Sequence, residues 1–158
     1  MRTAGNGYVT VQLADGSVLR IQADTEARLD AARQYEQAGF FASVWEVLRG
    51  RVEALVTHMT GGEPRFQVKT PQAVLGVRGT EFRVDADAAR GQTRSETLTG
   101  AVAVQGGRGE TLMRAGFGTV TQAGGAPSTP RPLPAAPSQS RNRLRTGSNR
   151  PRPGRPAR

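Results

Sequence analysis

TPQAVLGVRGTEF, residues Thr70 to Phe82, sets Pro71, Gly76 and Gly79, with Arg78 and Glu81, among apolar residues. Pro71 fixes its own φ and pushes Thr70 toward extended backbone, so a strand arriving through Phe66, Val68 and Thr70 turns there. Beyond the turn, Ala73, Val74, Leu75 and Val77 make a short apolar run, and Gly76 inside it predicts a bulge or a close backbone approach. Gly79 then precedes an alternating strand over Thr80 to Val84. An arginine between Val77 and Gly79 has three uses: bonding neighbouring carbonyls, pairing with Glu81 or another carboxylate, or facing a partner. A structural use is the reading preferred from the residues alone, because a buried unpaired guanidinium is costly.

Working back toward the N-terminus, Tyr8, Val9, Val11 and Leu13 begin a strand, and Asp15-Gly16 supplies a turn into Val18, Leu19 and Ile21. Asp-Gly between alternating apolar residues predicts a hairpin with a type I′ turn. Asp24 to Gln37 reads either as a strand with Ala27, Leu29 and Ala31 on one face or as a short helix. Phe40 to Leu48 is too densely apolar for a half-exposed helix and predicts a buried strand, which Gly50 breaks. Val52, Ala54, Val56 and His58 then alternate with Arg51, Glu53, Leu55 and Thr57 in period 2.

Forward of the central stretch, Asp85 to Gln92 is polar and reads as a loop. Thr93 to Leu98 and Ala101 to Gln105 are strands joined at Thr99-Gly100, Gly106 to Gly109 is a turn, and Phe117 to Thr121 is the last strand. Leu48-x-Gly50-x-Val52 and Leu98-x-Gly100-x-Val102 are the same pentad, which suggests two related corners of a rolled structure. Short strands with glycine at nearly every turn predict an all-β fold, a compact double-sheet or short β-helix-like roll. The expected core is Val9, Val11, Leu19, Phe41, Trp45, Val47, Val52, Val56, Phe66, Val68, Val77, Phe82, Val84, Val102, Val104 and Val120.

Composition divides the 158 residues in two. Residues 124–158 hold eight of the ten prolines, eight arginines and no acid, whereas the preceding residues carry 14 basic against 13 acidic side chains. The net +9 is therefore +1 in the body and +8 in the tail, so the high pI does not describe a basic nucleic-acid-binding fold. The expected organisation is a β domain over 1–123 and a disordered Pro/Arg-rich tail over 124–158, able to engage nucleic acid or an anionic polymer by counterion release.

No constellation for chemistry stands out. The absence of cysteine removes disulfides, thiolate metal sites and a cysteine nucleophile. His58 is the only histidine and reads as an exposed strand-end residue. Glu81, Asp85 and Asp87 match no EF-hand spacing. GNG at 5–7 and GGRG at 106–109 lack the Lys-Ser/Thr of a phosphate loop and read as turns. Phe40 and Phe117 are read as core rather than as an interaction patch. No catalytic, cofactor-binding or metal-ligating residue is assigned, and no apolar run approaches the ~18 residues of a membrane span.

The pattern TP-x-A-V-x-x-VRGT-x-F, carried by Thr70, Pro71, Ala73, Val74, Gly76, Val77, Arg78, Gly79, Thr80 and Phe82, resembles the signature of the FecR-type domain. Asp15-Gly16-Ser17, Leu48-Gly50-Val52, Leu98-Gly100-Val102 and Ala115-Gly116 sit at matching intervals, and the resemblance covers roughly residues 5–121. It favours the strand reading of 24–37. It implies a β-rich, non-enzymatic interaction or signalling module of the bacterial periplasm or cell envelope, bound to another protein or a cell-wall component. No signal peptide is legible at Met1 to Val11. With the opening resembling the middle of such a domain, a truncated or mis-started chain is expected.

Overall fold

The computed structural model describes residues 1–35, 40–57 and 65–134. These form β1 (Val9–Gln12), β2 (Val18–Ile21), β3 (Glu26–Tyr35), β4 (Phe40–Leu55), β5 (Phe66–Lys69), β6 (Val74–Val77), β7 (Glu81–Asp87), β8 (Gln92–Thr97), β9 (Ala101–Gly106), β10 (Gly109–Arg114), β11 (Phe117–Gln122) and β12 (Arg131–Pro132). No helix occurs among the described residues. The strands run in the order β10-β9-β6-β5-β4-β7-β8-β11-β12, with β2 and β3 joining at β4 and β1 pairing with β2. The sheet curls into a half-barrel whose two halves enclose the core, so that Phe66 of β5 meets Phe82 of β7 edge to face at 6.1 Å.

β4 belongs to both halves. Its first part pairs with β3 and, in parallel, with β5; from Gly50 onward it pairs with β7, and from Val52 also with β2. Gly50 therefore does not break the strand. At φ +90 it redirects the chain while the ladder continues through it. Gly79, Gly100 and Gly116 also redirect the chain with positive φ where it changes halves, but they lie in the breaks between β6 and β7, β8 and β9, and β10 and β11.

The two pentads are indeed related corners, and threonines make them so. At one corner Arg51 N–H donates to Thr25 Oγ1 at 2.9 Å, and that hydroxyl lies 3.2 Å from the Arg51 carbonyl. At the other, Thr80 Oγ1 donates to the Ala101 carbonyl at 3.1 Å. Each threonine follows a left-handed residue, Asp24 (φ 52) or Gly79 (φ 66). In both cases the hydroxyl reaches the residue after the pentad glycine.

Several boundaries move. Asp15 does not adopt positive φ, so the hairpin turn is not type I′. Leu13, Gly16 and Ser17 close a three-residue loop with only Gly16 left-handed, and Asp15 Oδ1 accepts from Ser17 N–H. β3 is a strand with register shifts beside Ala27 and before Ala31, and of its expected inner face Ala27 is buried whereas Leu29 is exposed. β7 runs to Asp87, shrinking the expected 85–92 loop to four residues, because Asp85 and Asp87 alternate outward from buried Val84 and Ala86. Gly76 makes no bulge: it keeps regular register between Gln67 and Ala103.

Twelve of the sixteen expected core residues are buried; Val9, Val11, Phe41 and Val120 are only partly covered. The core also takes Ile21, Ala54, Leu75, Ala86 and Met113. Val120 faces outward because β11 turns Thr119 and Thr121 inward, beside Thr93, Ser95 and Thr97 of β8. Hydroxyls suit this end because polar backbone and turns face it. Thr93 Oγ1 bonds Thr70 Oγ1 at 2.7 Å and donates to Gln72 at 2.9 Å, and Thr119 Oγ1 donates to the Ser128 carbonyl at 2.6 Å. Ser95 Oγ and Thr121 Oγ1 are buried without a hydrogen-bond partner among the described residues. Such groups cost about 1–3 kcal/mol, so Thr121→Val is expected to raise stability by about 1 kcal/mol, read as a higher Tm in thermal unfolding.

The ordered chain also passes the expected boundary at 123. Gly124 (φ +67) turns it back along β11, Ser128 N–H donates to the Val120 carbonyl, β12 pairs with Phe117-Gly118, and Leu133 N–H donates to the Gly116 carbonyl. Proline content suggested disorder, but on an edge strand the missing N–H costs no ladder bond, and Pro127, Pro130, Pro132 and Pro134 lie along this edge. The rest of the arginine-rich tail, residues 135–158, lies outside the described residues.

Candidate functional site

The signature stretch builds a turn and a corner. Thr70 Oγ1 accepts from the N–H groups of Gln72 and Ala73, and Thr70 N–H donates to the Ala73 carbonyl, which closes the turn carrying exposed Pro71. Ala73, Leu75 and Val77 point into the core, while Val74 and Gly76 face out. Thr80 exchanges backbone hydrogen bonds with Val56 at 2.9 and 3.1 Å and is buried, and Phe82 is fully buried behind it.

Arg78 is the exception. It is exposed, with no hydrogen bond or ion pair among the described residues, so neither structural use foreseen for it is realised. Glu81 is exposed as well and uses its backbone N–H, not its carboxylate, to reach Thr99 Oγ1. Of the flanking glycines, Gly16 supports the first hairpin, Gly50 and Gly100 the paired corners, and Gly116 the β10–β11 crossing.

Next to this corner lies a feature that the sequence reading passed over. Arg20, Glu53, Leu55, Glu81, Arg83 and Leu98 line a cleft of about 230 Å³ on the outer face of β2, β4 and β7. Leu55 is 56% exposed and stands opposite Glu81. The signal was present: Leu55 sits on the polar phase of Arg51, Glu53 and Thr57. Around it the charges alternate across strands, with Glu53–Arg83 at 3.2 Å, Arg51–Asp85 at 3.0 Å and Arg83–Glu96 at 3.8 Å. Such exposed pairs are each worth about 0–1 kcal/mol, so they fix register and surface pattern more than stability.

Elsewhere, Arg2 donates a 2.8 Å hydrogen bond to Glu26 and, with Arg49 nearby, holds that carboxyl below its usual range. Asp85 and Asp87 are committed to Arg51 and to the Arg90 backbone. Among the described residues no group of three His, Asp or Glu side chains is placed to hold a metal ion. His58 and the Phe40 side chain lie outside the described set, and Phe117 is 37% exposed rather than core. No helix of the described residues is long and apolar enough to cross a membrane.

The corners, the shared strand β4 and the curled sheet define an all-β domain of the kind found in two crystal structures of a putative anti-sigma factor from Parabacteroides distasonis, at 1.65 and 2.50 Å resolution. Each aligns with a TM-score of 0.68 at 20% identity, covering 84% of this chain and 58% of that one. The likeness is one of fold, and the chain spans a little over half of that protein's length. The chain belongs to the FecR family: the FecR protein model matches residues 1–103. No curated protein matches.

Proposed function

We propose that this chain is a non-enzymatic signalling module of the bacterial cell envelope, of the type that serves anti-sigma regulation, and that it binds another protein through the Arg78 corner and the adjoining Leu55 cleft. The observation that carries the reading is the FecR family match over residues 1–103. Its location on the molecule is supported by the exposed charges of the central stretch: Val77 and Thr80 are consumed by the fold, whereas Arg78 is solvent-facing with no hydrogen bond or ion pair among the described residues. An exposed guanidinium suits recognition of a partner's carboxylate, and Leu55, in the cleft that Glu81 of the same corner lines, offers an apolar contact. The putative anti-sigma description of the structural neighbours supports a regulatory setting, and family membership supports the envelope.

The test is site-specific photo-crosslinking in the native host. A photoreactive phenylalanine analogue in place of Arg78 is expected to give a discrete protease-sensitive adduct, and the same analogue in place of Arg90 to give none. Equal labelling from both positions, or none from 78, sinks the assignment of this surface. An adduct removed by muramidase and resistant to protease points to a cell-wall partner instead. An export reporter fused to the full reading frame checks compartment separately, and a purely cytosolic signal overturns the envelope placement. The alternative, nucleic-acid binding through the tail, is tested by cutting after Pro134, which removes seven of the eight tail arginines and spares β12. That reading requires steeply salt-dependent binding that the cut abolishes.

A further inference from the structure

The two ends of the main strand path are finished differently. At the β12 end the prolines at 127, 130, 132 and 134 leave few donors for another strand. At the opposite end β10 has a single strand neighbour among the described residues, β9. Antiparallel ladders alternate between residues that exchange hydrogen bonds and residues that do not, so the direction of each backbone group follows from one known pair. Ala115 N–H donates to the Gly100 carbonyl at 3.0 Å, and the register runs without a shift back to Gly106 opposite Gly109. Gly109, Thr111 and Met113 therefore bond β9. The N–H and C=O groups of Glu110, Leu112 and Arg114 point off the open edge.

The side chains of these three residues share the outer face, opposite buried Met113, and Leu112 is 57% exposed. Neither Glu110 nor Arg114 has an ion-pair partner among the described residues. The order acid, apolar, base is complementary to itself when reversed.

We propose that β10 pairs with β10 of a second copy of this chain, antiparallel about a two-fold axis at Leu112, making one continuous sheet across the dimer. In that register Leu112 meets its own counterpart, Glu110 of each copy faces Arg114 of the other, and all three outward-facing residues exchange backbone hydrogen bonds. Centring the pair on Glu110 or on Arg114 sets like charges together, and centring it on Thr111 or Met113 keeps the backbone bonds but sets leucine opposite a charge, so the Leu112-centred register is the one that matches both charges. An edge protected against pairing carries charges of one sign; here the signs are opposed four residues apart. The other open edges suit this less: β3 is kinked by two register shifts, and β1 has only four residues. β10 also lies beyond the residues 1–103 that the family model matches, so the pairing belongs to this chain's own continuation of the domain. A six-residue edge buries far less than the ~1,200 Å² of a standard interface, so the dimer is weak, with Kd between about 10 μM and 1 mM.

Sedimentation equilibrium of the full chain up to about 1 mM tests this. The expected result is a reversible monomer–dimer equilibrium that Glu110→Arg alone or Arg114→Glu alone weakens at least about tenfold. An equimolar mixture of those two single variants is expected to dimerise again, because each then faces unlike charges on the other. Leu112→Pro removes one outward N–H without touching the β9 ladder and is expected to abolish the dimer while the monomer stays folded by circular dichroism. Should that variant unfold, the charge-exchange mixture decides alone. A chain that stays monomeric throughout, a dimer indifferent to both charge reversals, or a mixture that fails to re-associate overturns the proposal.

Discussion

Gly50→Ala is expected to cost about 4 kcal/mol, enough to leave much of the protein unfolded at moderate urea. Two effects add. The residue sits at φ +90, where any Cβ is strained, and an added Cβ would lie 2.6 Å from Thr25 Cα and 2.8 Å from the Asp24 carbonyl oxygen, closer still to Thr25 Oγ1. The obstacles are backbone atoms on a neighbouring strand entry, so no rotamer change relieves them. Relaxation would pull apart the hydrogen bonds between Thr25 and Arg51 that hold the corner. Gly91→Ala is the matched control, because Gly91 is also left-handed (φ +59) but has nothing within 4 Å of the new Cβ. It is expected to lose about 1 kcal/mol. Equal losses in urea unfolding would mean that backbone conformation alone matters and that the packed corner does not.

Phe82→Ala should be similarly severe, at about 3–5 kcal/mol. Phe82 is fully buried between the two halves of the sheet and meets Phe66 edge to face, so truncation opens a cavity where the curl closes. Few neighbours can fill it, since Val52, Val68, Val77 and Val84 are branched residues held on paired strands. Val120→Ala is the comparison: Val120 looks equally apolar in sequence but lies on the outer face, and its loss is expected near 0.5 kcal/mol. If both cost the same in urea unfolding, the assignment of β11 facing is wrong.

The pair of substitutions also shows where sequence patterning stops. Phe82 is flanked by Glu81 and Arg83, so alternation decides its side. Val120 stands between Thr119 and Thr121, and the same rule puts it inside. The rule fails there because the facing elements at that end are a turn and a returning edge strand, which need hydroxyl partners rather than methyl groups. Arg78 follows a similar logic in reverse. Its place between Val77 and Gly79 suggested a carbonyl clamp, but Thr80 already supplies the corner's cross-strand bond to Ala101 with a smaller group, and the arginine is left to solvent.

What the sequence by itself determined is local and short-ranged: the all-β class, the turn at Thr70-Pro71, the corners at Gly50 and Gly100, most of the valine-rich core, and through the signature the FecR family. These follow from φ limits at proline and glycine and from period-2 alternation, which act within a few residues. Only the tertiary structure decided that β4 runs unbroken through Gly50 into both halves, that the chain after residue 123 returns as an edge strand, and that Leu55 opens into a cleft with Glu81 and Arg83. The open edge of β10 belongs with these. Each depends on which strand lies beside which, and pairing between residues far apart in the chain is set by the closure of the whole sheet, which no local pattern encodes.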